Sequence, residues 1–474
     1  MRRSRTLLAV AAAVLAALAA MTGGCVLAPR DSPRQSALDA SQLGLTAPAV
    51  APAEDAWWKA FDDAQLDALI EHTFAANASL AQASAQLRSA LSQIDATHAG
   101  LLPKASFSGS ALRQHAPEHY IIPPPLAGSD FWMAQIGASL SWDLDFWGRQ
   151  ASALSQARAL ARSAELERDS TRLLLAAALV QAYVDLYRAN AFADIAQQAE
   201  AQRQHILDLT RQRVAAGLDT RLELREAESA LPQARVERAQ AQAQAVLAVH
   251  ALALIAGEGT DAYAAIVRPQ LNLDALLPLP AQLPINLLAR RPDVLAARAR
   301  IEAADAERHA VKAAFYPDVS LRALAGVASF GLNDLIEAGA RGYGVGPVVS
   351  LPLFDAGKLR AQYQGSEAAL DAAVAAYDDT VLHAVQQAAD RLTDIEALTR
   401  ERGDQQLTLA AAQDGYRIAE ERYRAGLAGY LSVLSAETQV LNARRQSVQI
   451  VADLAVARVS LLLELGGSFN PDSI

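Results

Sequence analysis

The sequence predicts a mainly α-helical chain with a smaller β component, written as two copies of one unit. Three observations carry this. Of 474 residues, 106 are alanine, which favours long helices that pack closely. Two pairs of short segments alternate apolar and polar residues with period two, the pattern of strands with one apolar face. Blocks of sequence also recur at a constant spacing, as internal duplication requires. Composition bounds the function too. The formal net charge is −10, so no basic surplus exists to neutralise phosphates, which argues against a nucleic-acid partner. A single cysteine excludes an intrachain disulfide framework and a cysteine-cluster zinc site.

The chain opens with Arg2, Arg3 and Arg5, an apolar run from Thr6 to Ala20, and Met21-Thr22-Gly23-Gly24-Cys25. A positive start, an apolar middle and small residues at the end describe a bacterial signal peptide over 1–24. The cysteine that closes it resembles the acylation site of a bacterial lipoprotein. That resemblance implies N-acyl and S-diacylglycerol lipid on Cys25 and no other cofactor. Val26 stands where an inner-membrane retention signal has aspartate, which points to the outer membrane. The uncharged run from Ala239 to Gly257 carries Gln240, Gln242, Gln244 and His250, so it reads as a packed helix rather than a span. A chain that crosses a membrane without spanning helices does so as a closed β-barrel.

The duplication has an offset of 209. Arg213-Val-Ala-Ala-Gly217-Leu218 returns as Arg422-Tyr-Arg-Ala-Gly426-Leu427, Ala227-Glu228 as Ala436-Glu437, and Gly148-Arg149 as Gly357-Lys358. Upstream the offset becomes 214, where Pro103 matches Pro317. Each copy follows one order. A helix comes first, about Ala64 to Ala99 and Pro292 to Ala314, with Pro292 suited to a helix start. Two strands follow, near 104–115 and 131–144, then near 319–328 and 341–353. In the second strand, Trp132, Ala134, Ile136, Ala138, Leu140, Trp142 and Leu144 share a face. Ala105, Phe107, Gly109 and Ala111 form the matching face of its partner, and Tyr343, Val345, Val349, Leu351 and Leu353 that of the last strand. Gly342, Gly344 and Gly346 interrupt that last strand, and close strand packing is the expected reason.

A very long helix comes next, about Gly148 to Ala215 and Gly357 to Arg424. Each spans about 100 Å if helical throughout. After an Ala-Gly-Leu turn a second long helix returns. In the last one Leu434, Leu441, Val448, Ala455 and Leu462 recur every seven residues, a coiled-coil seam. Pro232 interrupts the first returning helix and predicts a bend there. The resulting division is 1–24 signal, 25–62 anchor segment, 63–257 first repeat, 258–289 linker, 290–466 second repeat and 467–474 tail.

Four strands leave two open edges, and an open edge cannot face lipid. Several chains must therefore pool their strands. Trp and Tyr residues concentrate around the strands, as membrane girdles do.

Taken together these features resemble the outer-membrane efflux protein family, the TolC/OprM-like channel-tunnels, and within it the NodT-type lipoproteins. The resemblance rests on Trp57-Trp58-Lys-Ala-Phe61-Asp62, Asn77-Ala-Ser-Leu80, Arg290-Arg291-Pro292-Asp293-Val294, Ala314-Phe315-Tyr316-Pro317 and the two Arg-x-x-x-Gly-Leu turns. It implies a homotrimer, with a shared twelve-stranded barrel in the outer membrane and an α-helical barrel in the periplasm. It implies a passive conduit that exports small toxic compounds. The implied partners are a periplasmic adaptor (membrane fusion) protein, an inner-membrane pump of RND or MFS type, and outer-membrane lipid. The docking tips would be Ala216, Gly217 and Leu218 with Ala425, Gly426 and Leu427. Some members close the mouth with aspartates past the second tip, but here that stretch carries Tyr430, Ser432 and Ser435. Acid at the aperture would then come from Asp219 or Glu223, with Tyr430 narrowing it sterically.

No HExxH, GxSxG or phosphate-cradling loop is present, so the chain is not expected to be an enzyme. His115, Glu118 and His119 are separated by Pro117 and read as a solvated loop rather than a metal site. Asp143 and Asp145 read as lumen lining or helix capping. Two alternatives stand beside small-molecule efflux: a type I protein-secretion conduit, and a lipid-anchored coiled-coil envelope protein with no pore.

Overall fold

The structure is a computed structural model. It describes residues 36–469 apart from 39, 44, 46, 49–53, 55, 120, 122, 275–278, 281, 283, 285 and 287–289. The signal peptide, Cys25, Pro278 and most of the C-terminal tail lie outside the described residues. The regular elements are α1 (Ala64–Ala76), α2 (Ala78–His98), β1 (Lys104–His115), β2 (Asp130–Leu144), α3 (Arg149–Ala215), α4 (Arg221–Ala256), α5 (Pro292–Ala313), β3 (Asp318–Phe330), β4 (Arg341–Ser350), α6 (Lys358–Arg424) and α7 (Tyr430–Glu464).

Two compact units form, and each draws on both copies of the repeat. One contains residues 87–164 and 297–377, the other 38–86, 165–296 and 378–469. The first unit holds a four-stranded antiparallel sheet in the order β1-β2-β3-β4. Its register sets Ala105 opposite Leu140, Phe107 opposite Ala138 and Gly109 opposite Ile136. Leu140 in turn faces Ala323, which faces Val345. The apolar alternation of all four strands therefore falls on one face.

β4 ends at Ser350 rather than at 353. Its last residue pairs with Asp318, the first residue of β3, so 351–353 have no strand to join. The glycines of β4 also differ from expectation. A Cβ at Gly342 or Gly346 would meet nothing within 4 Å. The close approach lies between the middle strands, where a Cβ at Gly326 would sit 2.4 Å from the Ile136 carbonyl oxygen and 2.7 Å from the Gly137 Cα.

In the second unit, the first helical stretch is split at Asn77. Its carboxamide oxygen accepts from the Ser79 backbone N–H (2.8 Å), starting α2, and its Nδ2 donates to the Ile255 carbonyl (2.9 Å). The core of this unit gathers Trp57, Trp58, Phe61, Leu66 and Ile70 against Leu179, Val180, Tyr183 and Val184 of α3 and Ala452, Ala455, Val459 and Leu462 of α7. The heptad seam thus turns inward, with Leu441, Ala455 and Leu462 all buried. Pro232 lies inside α4 without ending it. By length and composition alone α4 and α7 are apolar enough to cross a membrane, but both give side chains to this core.

Candidate functional site

Two features suit a conduit: the sheet and the hairpin tips. On the sheet, one face carries Ala105, Phe107, Ile136, Leu140, Trp142, Leu321, Val327 and Val345, and the other carries Lys104, Ser106, Ser108, Ser110, Ser139, Ser141 and Arg322. An apolar face opposite a Ser- and Gly-rich polar face is the division between lipid and water in a membrane barrel. Trp132 and Trp142 stand on the apolar face ten residues apart. At about 3.3 Å per residue and a tilt of roughly 40°, they are about 25 Å apart along the barrel axis, the height of a lipid-facing band. Asp143 sits in β2 opposite Ser320 on the polar face. Asp145 is a helix cap, accepting from the Gln150 and Ala151 backbone N–H groups at 3.0 and 2.8 Å.

The tips are closed by one backbone device. Gly217 has φ +74° and Gly426 has φ +75°, the left-handed region that glycine enters without a Cβ clash. Gly217 N–H donates to Val214 and Leu218 N–H to Arg213, at 3.0 and 2.9 Å; Gly426 N–H donates to Tyr423 and Leu427 N–H to Arg422, at 3.0 and 2.8 Å. Both are helix C-terminal closures of the Schellman kind. Each leaves a leucine in solvent, with Leu218 64% and Leu427 70% exposed. Ala216 and Ala425 are exposed beside them.

The expected aperture residues are placed differently from one another. Asp219 is only 4% exposed and is committed to the Arg213 guanidinium, which donates to it from Nε and Nη2, both at 2.9 Å. Tyr423 of the second hairpin donates its hydroxyl to the same carboxylate at 2.7 Å, and that hydroxyl also shares a hydrogen with Thr210 at 2.9 Å. Arg213 completes the link by donating to the Tyr423 carbonyl (2.7 Å) and lying over its ring (4.6 Å). Hydrogen bonds from Arg213 hold the Asp219 carboxyl below its ordinary range, and burial pushes the Tyr423 phenol up to about 12. Asp219 is therefore a bridge between hairpins, not a free acid at a mouth.

Glu223 is also engaged, accepting from the Thr220 backbone N–H at 2.5 Å to start α4. Tyr430 turns inward, 2% exposed, among Leu231, Tyr423 and Val433. Ser432 and Ser435 are exposed along a groove of about 1160 Å³ between α6 and α7. Arg213 and Tyr423 are the functional residues that sequence reasoning missed. The only signal available was that the duplicated turns differ there, Val214 standing opposite Tyr423 and Ala428 opposite Asp219.

Higher on the hairpins a second ionic contact is looser. Glu437 is 4% exposed, with Arg203 Nε 3.6 Å from its Oε2 and no partner for its Oε1. Glu237 lies 3.7 Å from Arg203 and 3.2 Å from Arg445. Burial pushes the Glu437 carboxyl up.

A sheet with one lipid-suited face and paired long hairpins defines a membrane channel class, and the comparisons agree. Residues 69–258 and 283–467 match the outer membrane efflux protein family, and the chain belongs to it. It is 31% identical over 462 residues to a probable efflux pump outer membrane protein, TtgC, of Pseudomonas putida, covering 96% of this chain and 95% of that one. It is 35% identical over 370 residues to the fusaric acid resistance protein FusA of Burkholderia cepacia, covering 76% and 69%. The solved outer membrane protein VceC of Vibrio cholerae superposes with a TM-score of 0.83 at 31% identity, over 89% of this chain and 100% of that one. The fold is that of the trimeric outer-membrane efflux channels.

Proposed function

We propose that this chain is the outer-membrane conduit of a tripartite efflux system, exporting small toxic compounds. The observation that carries the reading is the pair of hairpin tips, each closed by a left-handed glycine and each presenting an exposed leucine. Two equivalent apolar points per chain suit a periplasmic adaptor that joins the channel to an inner-membrane pump of the RND or MFS type. Relatives named for antibiotic and toluene efflux support a small-molecule cargo over secreted protein. Cys25 is the lipid anchor in this reading, and mass spectrometry of the mature N-terminus tests it: triacylated cysteine supports the anchor, and a free thiol refutes it. The cargo is tested by deleting the chain and profiling sensitivity to organic acids, solvents and antibiotics, with and without each candidate pump. Hypersensitivity that disappears when one pump is also absent supports the reading; unchanged sensitivity across the panel refutes it.

A further inference from the structure

At the base of the strands the first unit holds a cavity of about 420 Å³, lined by Leu144, Trp147, Arg149, Tyr316, Leu351 and Lys358 among others. We propose that it binds the headgroup of a glycerophospholipid from the periplasmic leaflet of the outer membrane, with the headgroup phosphate on Arg149 and Lys358. The proposal rests on the outer-membrane placement of the sheet.

The position fits. Trp142 marks the lower edge of the apolar band, and the cavity begins just past it, at Leu144. Leu144 shares the lipid-facing parity of Trp142 and Leu140, and Val349, opposite Val319, ends the matching row of β4 just before Leu351 of the lining. Acyl chains can follow those rows while a headgroup enters below. Trp147 stacks on Tyr316 with centroids 4.8 Å apart, fixed by an indole N–H donated to the Pro317 carbonyl at 2.9 Å. Amphipathic rings of this kind settle at the headgroup level.

The charges fit as well. Arg149 is the first residue of α3 and Lys358 the first of α6, at the positive end of each helix dipole, where a cation is disfavoured. The acids nearest to them in sequence are each engaged by backbone N–H groups rather than by these cations. Asp145 caps α3, and Asp355 accepts from the Gly357 and Leu359 N–H groups at 3.0 and 2.7 Å to cap α6. Neither cation has an ion pair among the described residues. Both copies of the repeat nevertheless keep a basic residue here, as Gly148-Arg149 and Gly357-Lys358. A phosphate in the cavity would be held by the two cations, the capping carboxylates keeping the helix N–H groups. Asp318 is the one carboxylate in the lining that caps nothing, and it suits the ammonium of a zwitterionic headgroup such as phosphatidylethanolamine.

The test is native mass spectrometry of the purified channel titrated with phosphatidylethanolamine, for the unaltered protein and for Arg149→Gln with Lys358→Gln. An exposed ion pair to the phosphate contributes up to about fivefold, so the double variant should bind up to roughly 30-fold more weakly. Arg149→Lys with Lys358→Arg should restore binding. Diacylglycerol, which lacks the phosphate, and glycerophosphoethanolamine, which lacks the tails, should both bind weakly. Equal lipid binding by the glutamine variant, or diacylglycerol binding as well as the phospholipid, overturns the site. Tail-free glycerophosphoethanolamine binding as tightly as the lipid overturns it in favour of a soluble anion. Both side chains are exposed, and recording the same samples in planar bilayers separates the two claims. Conductance without lipid preference removes the headgroup site alone, and absence of conductance removes the channel reading beneath it.

Discussion

At the first tip, Gly217 hands the chain to Leu218 and Asp219; at the second, Gly426 hands it to Leu427 and Ala428. The φ values differ by one degree and the hydrogen bonds that close the turns by 0.1 Å at most. The chemistry differs more. Only the first tip has the aspartate, and only the second hairpin has the tyrosine that bonds to it. Duplication supplied two equal reversals with exposed leucines. Divergence at 219 and 423 supplied the contact that ties one reversal to the other.

The largest expected effect comes from breaking that tie. Asp219→Ala leaves Arg213 buried without its carboxylate and should cost about 3 kcal/mol, read as a lower denaturation midpoint of the purified protein. Tyr423→Phe removes one hydroxyl from the same contact and should cost about 1–2 kcal/mol by the same measurement. A Tyr423→Phe cost equal to that of Asp219→Ala would show that the phenol, not the ion pair, is the main link.

The backbone half of the comparison predicts equality. Gly217→Ala and Gly426→Ala should each cost about 1 kcal/mol through the left-handed φ, because no side chain or backbone atom crowds a Cβ at 217 and only the end of Arg213 approaches one at 426. Unequal costs would break the equivalence of the turns. Leu218→Ser with Leu427→Ser should change stability by less than about 0.5 kcal/mol while lowering toxin resistance in cells, since both leucines are largely exposed.

The two ionic contacts between hairpins should respond to pH with opposite sign. The Asp219 carboxyl is held low by Arg213, so its contribution is present above the ordinary carboxylate range and is lost as pH falls through its folded value. The Glu437 carboxyl is pushed up by burial, so the folded state prefers it protonated and loses stability as pH rises from the ordinary value through the raised one. Glu437→Gln should therefore raise stability at neutral pH and flatten its dependence above pH ~5, whereas Asp219→Asn should lower stability most at neutral pH. Denaturation midpoints across pH 4 to 8 check both signs.

Much of this was legible in the chain. Period-two alternation fixed which strand residues share a face, and the Arg-x-x-x-Gly-Leu repeats marked both reversals. What was not legible depended on partners distant in sequence. Asp219 and Tyr423 are 204 residues apart, so an aspartate beside a turn looked like a free acid. Tyr430 begins a helix, and periodicity alone did not say that its ring joins the cluster of Leu231 and Val433. The end of β4 depended on where β3 begins, and the close approach at Gly326 depended on its register against Gly137.

Whether this chain forms a conduit is tested most directly by single-channel recording of the purified protein in planar bilayers. Discrete conductance steps are expected for the unaltered protein, with larger or longer openings for Asp219→Ala as the tie between tips is lost. A correctly folded, membrane-inserted protein that never conducts, with or without Asp219, would contradict the account and leave a lipid-anchored coiled-coil structural protein in its place.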